Sequence, residues 1–395
     1  MESSAFLQDN CVKLFFLVVV GALAFQPSLI RTATTLPLLG ILLWQFVLVE
    51  EKGFFGDHFS LGCLIGLLSF AYIDRIVLAN PDKEGWHKLT DSDAESRSAT
   101  PAAPVGSFRR LWWSLLIFFN LRGVGWSYQV KNVPTAHPAD YSRWKFVLRK
   151  LFLGATFFII EDTLCSWTAS TPWGSFRDVD GFVPVGFQDS VSYQTRFLLS
   201  WTYILITYYT LEFINCVISV VLVTLHFANP SECPPLFGDP REMYTLRKAW
   251  SVTWHQSMRR ACATMGLFAA RDVLRLKKGT FASKYVQLFV GFGVSATIHA
   301  MGSVGCYGAL QTNGEFTFFM AQALAIMIED HVVALGRKLG ARDRLAWRVL
   351  GYVWVTLWFG LNSAWFSAAI VNGIWNHQRG ADVFGLGPPR PVKSA

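Results

Sequence analysis

The sequence predicts an all-α, polytopic membrane protein with about eight transmembrane helices and additional interfacial or re-entrant helices. Only 16% of the residues are charged and 52% are hydrophobic, whereas soluble domains carry about 25% charged residues. Several apolar stretches are long enough to cross a bilayer, and the basic residues are distributed very unevenly between the segments that connect them. Together these three observations predict an integral membrane protein.

The apolar stretches define the predicted spans. Seven of them reach the roughly 17–25 residues that a transmembrane helix needs, and an eighth is shorter and is expected to cross with help from its aromatic residues. They lie at about residues 12–30, 36–49, 59–79, 146–170, 197–227, 285–310, 316–335 and 349–375. The first resembles the apolar core of a signal peptide, but Glu2, Asp9 and a single Lys13 give no basic flank, so we expect a span. A further piece, "LWWSLLIFFNL" (111–121), is too short to cross and is expected to be interfacial or re-entrant.

The basic residues orient these spans. Of the 35 Lys and Arg residues, 25 lie in alternate loops that face the cytosol if the N-terminus is lumenal, and 5 lie in the segments on the opposite side. Cytosolic loops of membrane proteins carry such an excess. The sequence therefore predicts that both termini are lumenal.

The domain organisation is expected to be simple. Residues 1–395 read as one integral-membrane domain. Residues 80–107 are rich in Ser, Ala, Pro and Asp without an apolar period, which predicts a flexible cytosolic loop. No basic-aromatic module supports nucleic-acid binding, and the seven cysteines lack metal-ligand spacing, so no metal is expected.

His299 is the first candidate for chemistry. It lies in "GVSATIHAMGSV" (293–304), about 20 Å into the 285–310 span and hence near the bilayer midplane. Ser295 and Ser303 lie four residues before and after it, on the same helical face. A neutral imidazole that hydrogen-bonds between helices would explain it, but ionisable residues inside membranes are also functional candidates. In a dry tunnel a neutral histidine can act as general base for an alcohol.

The second candidate is the basic segment "KAWSVTWHQSMRR" (248–260). On a helix its four-residue spacings would form one aromatic face and one His/Gln/Arg face. It reads either as an amphipathic interfacial helix or as a cytosolic entrance where arginines meet phosphates. The candidate residues there are His255, Trp254, Gln256, Arg259 and Arg260.

Other polar residues are weaker candidates. Arg122 in "NLRGVGW" (120–126) could mark an entrance element or a membrane-surface turn. Among the carboxylates in apolar stretches, Glu212 lies deepest, followed by the pair Glu161 and Asp162 near the end of a span.

Several of these motifs together resemble the membrane-bound O-acyltransferases. "AWSVTWHQSMRR" followed by "FGVSATIHAMG" is similar to the wax-synthase-like branch of that family found in fungal terpenoid and meroterpenoid pathways. "RGVGW", "KNVP" (131–134) and "PPLFGDP" (234–240) look like its upstream signatures. The resemblance covers roughly residues 110–330, which it implies to be the catalytic core. It implies a helical bundle with a central tunnel, in which His299 matches the membrane-embedded histidine and His255 a position that is Asn or Asp in many relatives.

The resemblance also implies an activity. It predicts an O-acyltransferase of the endoplasmic reticulum that moves an acyl group, acetyl in the first instance, from acyl-CoA to a hydroxyl of a lipophilic terpenoid in secondary metabolism. No bound cofactor is expected; the partners are acyl-CoA, the alcohol and membrane lipid. The catalytic residues implied are His299 and His255, and the substrate-binding residues are Trp254, Gln256, Arg259, Arg260, Ser295, Ser303 and Arg122.

Three alternatives stay open. A long-chain acyl donor would make the protein a wax-ester synthase of the same fold. A polytopic transporter could use His299 as a proton relay, although no repeated halves are found in the sequence. An intramembrane terpene cyclase would use carboxylates such as Glu161, Asp162 and Glu212 as acids.

Overall fold

A computed structural model describes residues 2–48, 55–89, 104–135, 137–138, 140–170, 192–307, 314–377 and 381–387. Within these ranges the regular structure is helical, apart from one isolated bridge between Lys88 and Trp126. The predicted all-α class is therefore confirmed. The described helices, named α1 to α11 in chain order, are Glu2–Ala24, Leu29–Leu48, Phe55–Tyr72, Phe108–Phe119, Arg143–Ala169, Tyr193–Thr224, Leu246–Lys248, Arg259–Phe268, Phe281–Tyr307, Glu315–Lys338 and Leu345–His377.

Six described helices are long and apolar enough to cross a membrane. Their spanning segments are Leu29–Leu48, Phe59–Leu78, Arg143–Thr168, Tyr193–Thr224, Phe281–Gly305 and Glu315–Lys338. Each corresponds to a predicted span. The other two predicted spans correspond to α1, whose apolar part covers only Asn10–Ala24, and to α11. The number eight accordingly stays a prediction.

The boundary between the first two spans differs from the sequence prediction. Instead of a span at 12–30 and a loop at 31–35, α1 ends at Ala24 and α2 already begins at Leu29. Pro27 disfavours helix at the residue before it, and Ser28 accepts a hydrogen bond from the Arg31 amide at 3.1 Å as an N-cap does. Arg31 is tolerated inside α2 because its guanidinium donates to the carbonyl oxygens of Ala22 in α1 and of Phe25, the residue after α1, at 3.1 and 3.4 Å.

The chain forms two compact units. The first contains α1 to α4, α8 and α9; α1 packs on α2 and α4, and α8 packs on α9. The second contains α5 to α7, α10 and α11; α6 packs on both α5 and α11. The first unit therefore carries His299, and the second carries His255.

The predicted loop 80–107 is described only at its two ends. Asp82 forms an ion pair with the buried Arg110 of α4, and Arg110 also donates to the Leu23 carbonyl oxygen at the end of α1, at 2.8 and 3.1 Å. Trp86 stacks on Tyr128 with ring centroids 4.3 Å apart. Residues 90–103 lie outside the described residues, so the predicted flexibility stays a prediction.

Candidate active site

His299 lies on α9, and its own helix fixes its tautomer. Its Nδ1 is 2.7 Å from the carbonyl oxygen of Ser295, one turn earlier. Because a carbonyl oxygen only accepts, Nδ1 must carry the proton of this hydrogen bond, and the lone pair of the neutral ring is then on Nε2. The side chain is half-buried. This arrangement orients Nε2 as a hydrogen-bond or proton acceptor.

The neighbours of His299 hold α9 rigidly. Val294 and Ile298 are buried against Leu67 of α3 and Ala261 of α8. The Ser295 hydroxyl is 3.9 Å from the Met258 sulfur atom, a weak contact. These contacts fix the face of α9 next to His299.

The glycines beside His299 serve close helix packing. A Cβ at Gly302 would lie 2.7 Å from Cys63 Sγ and from the ring of Phe59, and a Cβ at Gly62 would lie 2.2 Å from the Met301 carbonyl oxygen. On the side of α9 that faces α3, these glycines therefore allow the two helices to pack closely. Ser303, one turn after His299, is only 1% exposed.

The segment 248–260 is not one helix, so the predicted pair of faces is wrong. The three-residue α7 continues into a π-turn at Ala249–Thr253, and Trp254 is extended. The chain becomes helical again only at Arg259. The periodicity that would place His255 and Arg259 on one face is interrupted, although the rings of Trp250 and Trp254 still meet edge to face at 5.9 Å.

Contacts from remote segments cause this break. Asn132 of "KNVP" donates to the Ser251 carbonyl oxygen at 2.8 Å, and the Gly238 amide of "PPLFGDP" donates to the Thr253 carbonyl oxygen at 2.8 Å. The side-chain Nε2 of Gln256 donates to the main-chain carbonyl oxygens of Trp250 and Trp254, at 3.1 and 2.5 Å. The three motifs of the second unit thus form one braced turn, in which Gln256 has a structural part.

His255 lies in an aromatic group at the end of this turn. The ring of Phe237 meets those of Trp254 and His255 edge to face, at 5.0 and 5.6 Å, and contacts Tyr208 of α6 at 4.7 Å. Glu212, also on α6, accepts hydrogen bonds from the main-chain amides of Leu236 and Phe237 at 2.8 and 2.9 Å. The position of His255 is therefore set by α6 through the loop that carries Phe237.

The candidate arginines differ in their surroundings. Arg260 pairs with Asp74 through two hydrogen bonds, of 2.6 and 3.2 Å, and its guanidinium lies 4.2 Å from the Trp86 ring centroid. Arg259 is half-buried, and burial lowers the pKa of its guanidinium. Arg122 lies in a turn closed by hydrogen bonds of the Asn120 side chain to Val124, at 2.9 Å in both directions. Arg260 therefore has a structural partner that the sequence did not reveal.

Asp74 was missed by sequence reasoning. It is 1% exposed and adjoins Arg75, which is 2% exposed, at the end of the second of the six spanning segments. Burial also raises the pKa of nearby Tyr128 to about 12. The adjacent Asp74 and Arg75 in an apolar stretch could have indicated this site from the sequence, because burying a charged side chain in a membrane costs free energy unless the charge is paired.

The carboxylates in the spanning helices accept hydrogen bonds from loops and helix ends. Glu329 of α10 accepts from the main-chain amides of Leu246 and Arg247, at 2.7 and 3.1 Å. Asp162 of α5 accepts from the amides of residues 382 and 383, at 2.9 and 2.8 Å. With Glu212, three carboxylates each bind two consecutive amides. These contacts explain the three carboxylates as structural hydrogen-bond acceptors. The acid role that a terpene cyclase would give to Asp162 and Glu212 is therefore not needed to account for them.

Known proteins resemble this chain over most of its length. It is 44% identical to the acetyltransferase sirH of Leptosphaeria maculans over 93% of this chain and 91% of the relative. It is 29% identical to the acetyltransferase ple2 of Rhodocybe pseudopiperita over 72% of this chain and 74% of the relative. It is 30% identical to the acetyltransferase eriL of Hericium erinaceus over 66% of each chain. The model of the membrane bound O-acyl transferase family matches residues 233–321.

The chain belongs to the membrane bound O-acyl transferase family. It is an acyltransferase and an integral membrane protein, as the sequence predicted. The matched region of this O-acyltransferase contains both His255 and His299. Among the described residues, no three His, Cys, Asp or Glu side chains come together as a metal site requires.

Proposed function

We propose that this O-acyltransferase moves an acetyl group from acetyl-CoA to a hydroxyl of a lipophilic, terpenoid-type alcohol, with His299 as the general base. The observation that carries the proposal is the hydrogen bond from His299 Nδ1 to the Ser295 carbonyl oxygen, which leaves a basic Nε2 on a membrane-spanning helix. Acetyl is favoured over a long acyl chain because the relatives reported above are named acetyltransferases. The terpenoid class of acceptor rests on the sequence resemblance.

The reaction proceeds by direct transfer. His299 Nε2 removes the hydroxyl proton while the alcohol oxygen attacks the thioester carbonyl carbon. The tetrahedral intermediate then collapses, the carbon–sulfur bond breaks, and the imidazolium returns its proton to the departing CoA thiolate. The ester and free CoA result, with no acyl-enzyme.

The second catalytic role is hydrogen bonding to the oxyanion of the intermediate. We assign it to His255 on the family pattern, and a donor of this kind is worth about 3 kcal/mol in other enzymes. Ser295 and Ser303 are proposed to contact the substrates, together with Trp254 and Gln256. Arg259, Arg260 and Arg122 are proposed to attract the phosphates of CoA. The pairing of Arg260 with the buried Asp74 leaves only part of the Arg260 guanidinium for that purpose.

The location follows from the same proposal. We expect the protein in the endoplasmic reticulum membrane, with acetyl-CoA arriving from the cytosolic side. Burial in the membrane would keep water from the thioester and so limit its hydrolysis. Fractionation of expressing cells against a reticulum marker tests the location.

The experiment is acyl transfer by membranes. Microsomes that contain the protein are incubated with labelled acetyl-CoA and a panel of terpenoid and straight-chain alcohols, and the products are analysed for labelled ester. Ester formed from a terpenoid alcohol, with weak competition by palmitoyl-CoA, is the expected result. Efficient competition by palmitoyl-CoA together with wax-ester formation would replace the acetyl donor by a long acyl chain. Accumulation of label inside the vesicles without ester would indicate transport.

A further inference from the structure

Gln322 of α10 is a fully buried amide whose orientation is fixed by its neighbours. Its Oε1 accepts hydrogen bonds from the indole Nε1 of Trp250, at 3.2 Å, and from that of Trp358 on α11, at 2.9 Å. Because an indole nitrogen only donates, turning the amide around would place its NH2 group against both donors. Gln322 therefore presents its oxygen to the two indoles in one defined orientation.

Only the oxygen of this amide is in use. The Nε2 of Gln322 has no hydrogen-bond partner within the described part of the chain. A buried donor without an acceptor lowers stability, so packing alone does not explain an amide side chain at this position. The part of Gln322 that the structure employs is the acceptor for Trp250 and Trp358.

Trp250 connects Gln322 to the turn that carries His255. The main-chain carbonyl oxygen of Trp250 accepts a hydrogen bond from Nε2 of Gln256 at 3.1 Å, and the same Nε2 donates to the carbonyl oxygen of Trp254 at 2.5 Å. His255 lies between these last two residues in the chain, and its ring centroid is 5.7 Å from that of Trp254. A shift of Trp250 therefore also shifts Gln256 and, with it, His255.

α10 also holds the beginning of the same segment. Glu329, two turns after Gln322, accepts hydrogen bonds from the main-chain amides of Leu246 and Arg247, at 2.7 and 3.1 Å. Asp330 accepts from the guanidinium of Arg247 at 2.8 and 2.7 Å. All these residues belong to the second unit. The two carboxylates fix where the segment begins, whereas Gln322 fixes it further along, at its first tryptophan.

We infer that Gln322 is a positioning residue for His255. By anchoring Trp250 to α10, its amide oxygen holds residues 249–256 in the form in which His255 donates to the oxyanion. This matters for the rate because displacing a catalytic group by about 1 Å can cost about 10²-fold. The inference rests on the oxyanion role proposed above for His255.

The two tryptophans that share the Gln322 oxygen provide a matched pair of variants. Trp250→Phe and Trp358→Phe each remove one indole donor, but only Trp250 belongs to the turn. Gln322→Met removes the acceptor, whereas Gln322→Glu keeps it, because a carboxyl group accepts from both indoles in either protonation state.

Two measurements are made on each purified variant in nanodiscs, together with its unfolding midpoint. The first is the transfer of label from acetyl-CoA to the terpenoid alcohol that is esterified in the microsomal panel. The second does not depend on activity: it is the rate at which diethyl pyrocarbonate carbethoxylates His255, followed by mass spectrometry.

The expected effects separate the two tryptophans. Gln322→Met and Trp250→Phe should lower the transfer rate about 10- to 100-fold and speed the carbethoxylation of His255 several-fold. Trp358→Phe and Gln322→Glu should stay close to the wild type in both measurements. In a His255→Ala background, Gln322→Met should cause no further loss of rate, because both changes act on the same group. If Gln322→Met does not fold, Trp250→Phe supplies the same comparisons.

Four results would each overturn the inference. They are equal behaviour of Trp250→Phe and Trp358→Phe in both measurements, a further loss of rate from Gln322→Met in His255→Ala, unchanged labelling of His255 in folded Gln322→Met, and an inactive but folded Gln322→Glu. A wild-type transfer rate of His255→Ala would instead contradict the proposed role of His255. The labelling of His255 then decides by itself whether Gln322 positions that residue.

Discussion

Replacing Glu212 separates a structural from a chemical role for the deepest membrane carboxylate. Glu212 is 4% exposed, and its Oε1 accepts from the Leu236 and Phe237 amides, while Oε2 accepts from Asn215 Nδ2 at 3.2 Å. In Glu212→Ala the two amides lose their acceptor. In Glu212→Gln the side-chain amide oxygen can still accept the hydrogen bonds of both main-chain amides. Only the contact with Asn215 is lost, because two NH2 groups, both donors, would then face each other.

The expected magnitudes follow from these contacts. An unsatisfied buried donor costs about 1–3 kcal/mol, so Glu212→Ala should lower the unfolding free energy by about 2–6 kcal/mol. Glu212→Gln should lose about 1 kcal/mol, because it keeps the acceptor and loses one side-chain hydrogen bond. Unfolding by SDS in mixed micelles, followed by tryptophan fluorescence, measures both values.

The activities of the two variants complete the test. Phe237 packs against His255, so Glu212→Ala should also lower acyl transfer, whereas Glu212→Gln should keep most of it. If Glu212→Gln is as inactive as Glu212→Ala while remaining stable, the carboxylate takes part in proton transfer and the structural account is refuted.

Two further predictions concern the first unit. Gly62→Ala should destabilise by about 1–3 kcal/mol through overpacking, because its Cβ would lie 2.2 Å from the Met301 carbonyl oxygen; Gly40→Ala, with nothing within 4 Å, should be neutral or stabilising by up to about 1 kcal/mol. Equal stabilities of the two variants in the same SDS titration would contradict the packing of α3 on α9. Asp74→Ala should destabilise by about 2–3 kcal/mol, because it removes the hydrogen bonds of a buried carboxylate to Arg260, whose own side chain is still 20% exposed, and Asp74→Ala/Arg260→Met should recover part of that loss. A raised KM for acetyl-CoA in Arg260→Met at unchanged stability would support the proposed part of Arg260 in attracting the CoA phosphates, and an unchanged KM would leave Arg260 only as the structural partner of Asp74.

Hydropathy predicted the long helices well because the N–H and C=O groups of a backbone inside lipid must hydrogen-bond to one another. A long apolar stretch that crosses the membrane is therefore expected to form a helix. It misplaced the α1–α2 boundary, since Arg31 looked like a loop residue. The structure keeps Arg31 in α2 by turning its side chain onto the carbonyl oxygens at the end of α1. Such a contact depends on the turn between the helices, which hydropathy does not describe.

The candidate site was predictable in part. His299 and Ser295 were identified from their spacing, and their hydrogen bond is a local, one-turn contact. The helix expected around His255 failed because Asn132 and Gly238, both distant in sequence from the turn, bind its carbonyl oxygens. Partners of this kind, like Asp74 for Arg260, are set by tertiary structure and leave no periodic signal.

The central claim is that His299 is the base that activates the acceptor alcohol. Its most direct test is single-turnover transfer by purified His299→Ala in nanodiscs, with acetyl-CoA binding and the unfolding midpoint measured on the same sample. The account predicts ester formation reduced by about 10²–10⁴-fold, the usual contribution of a general base, with donor binding and stability close to wild type. Ester formation at the wild-type rate by the folded variant would contradict it.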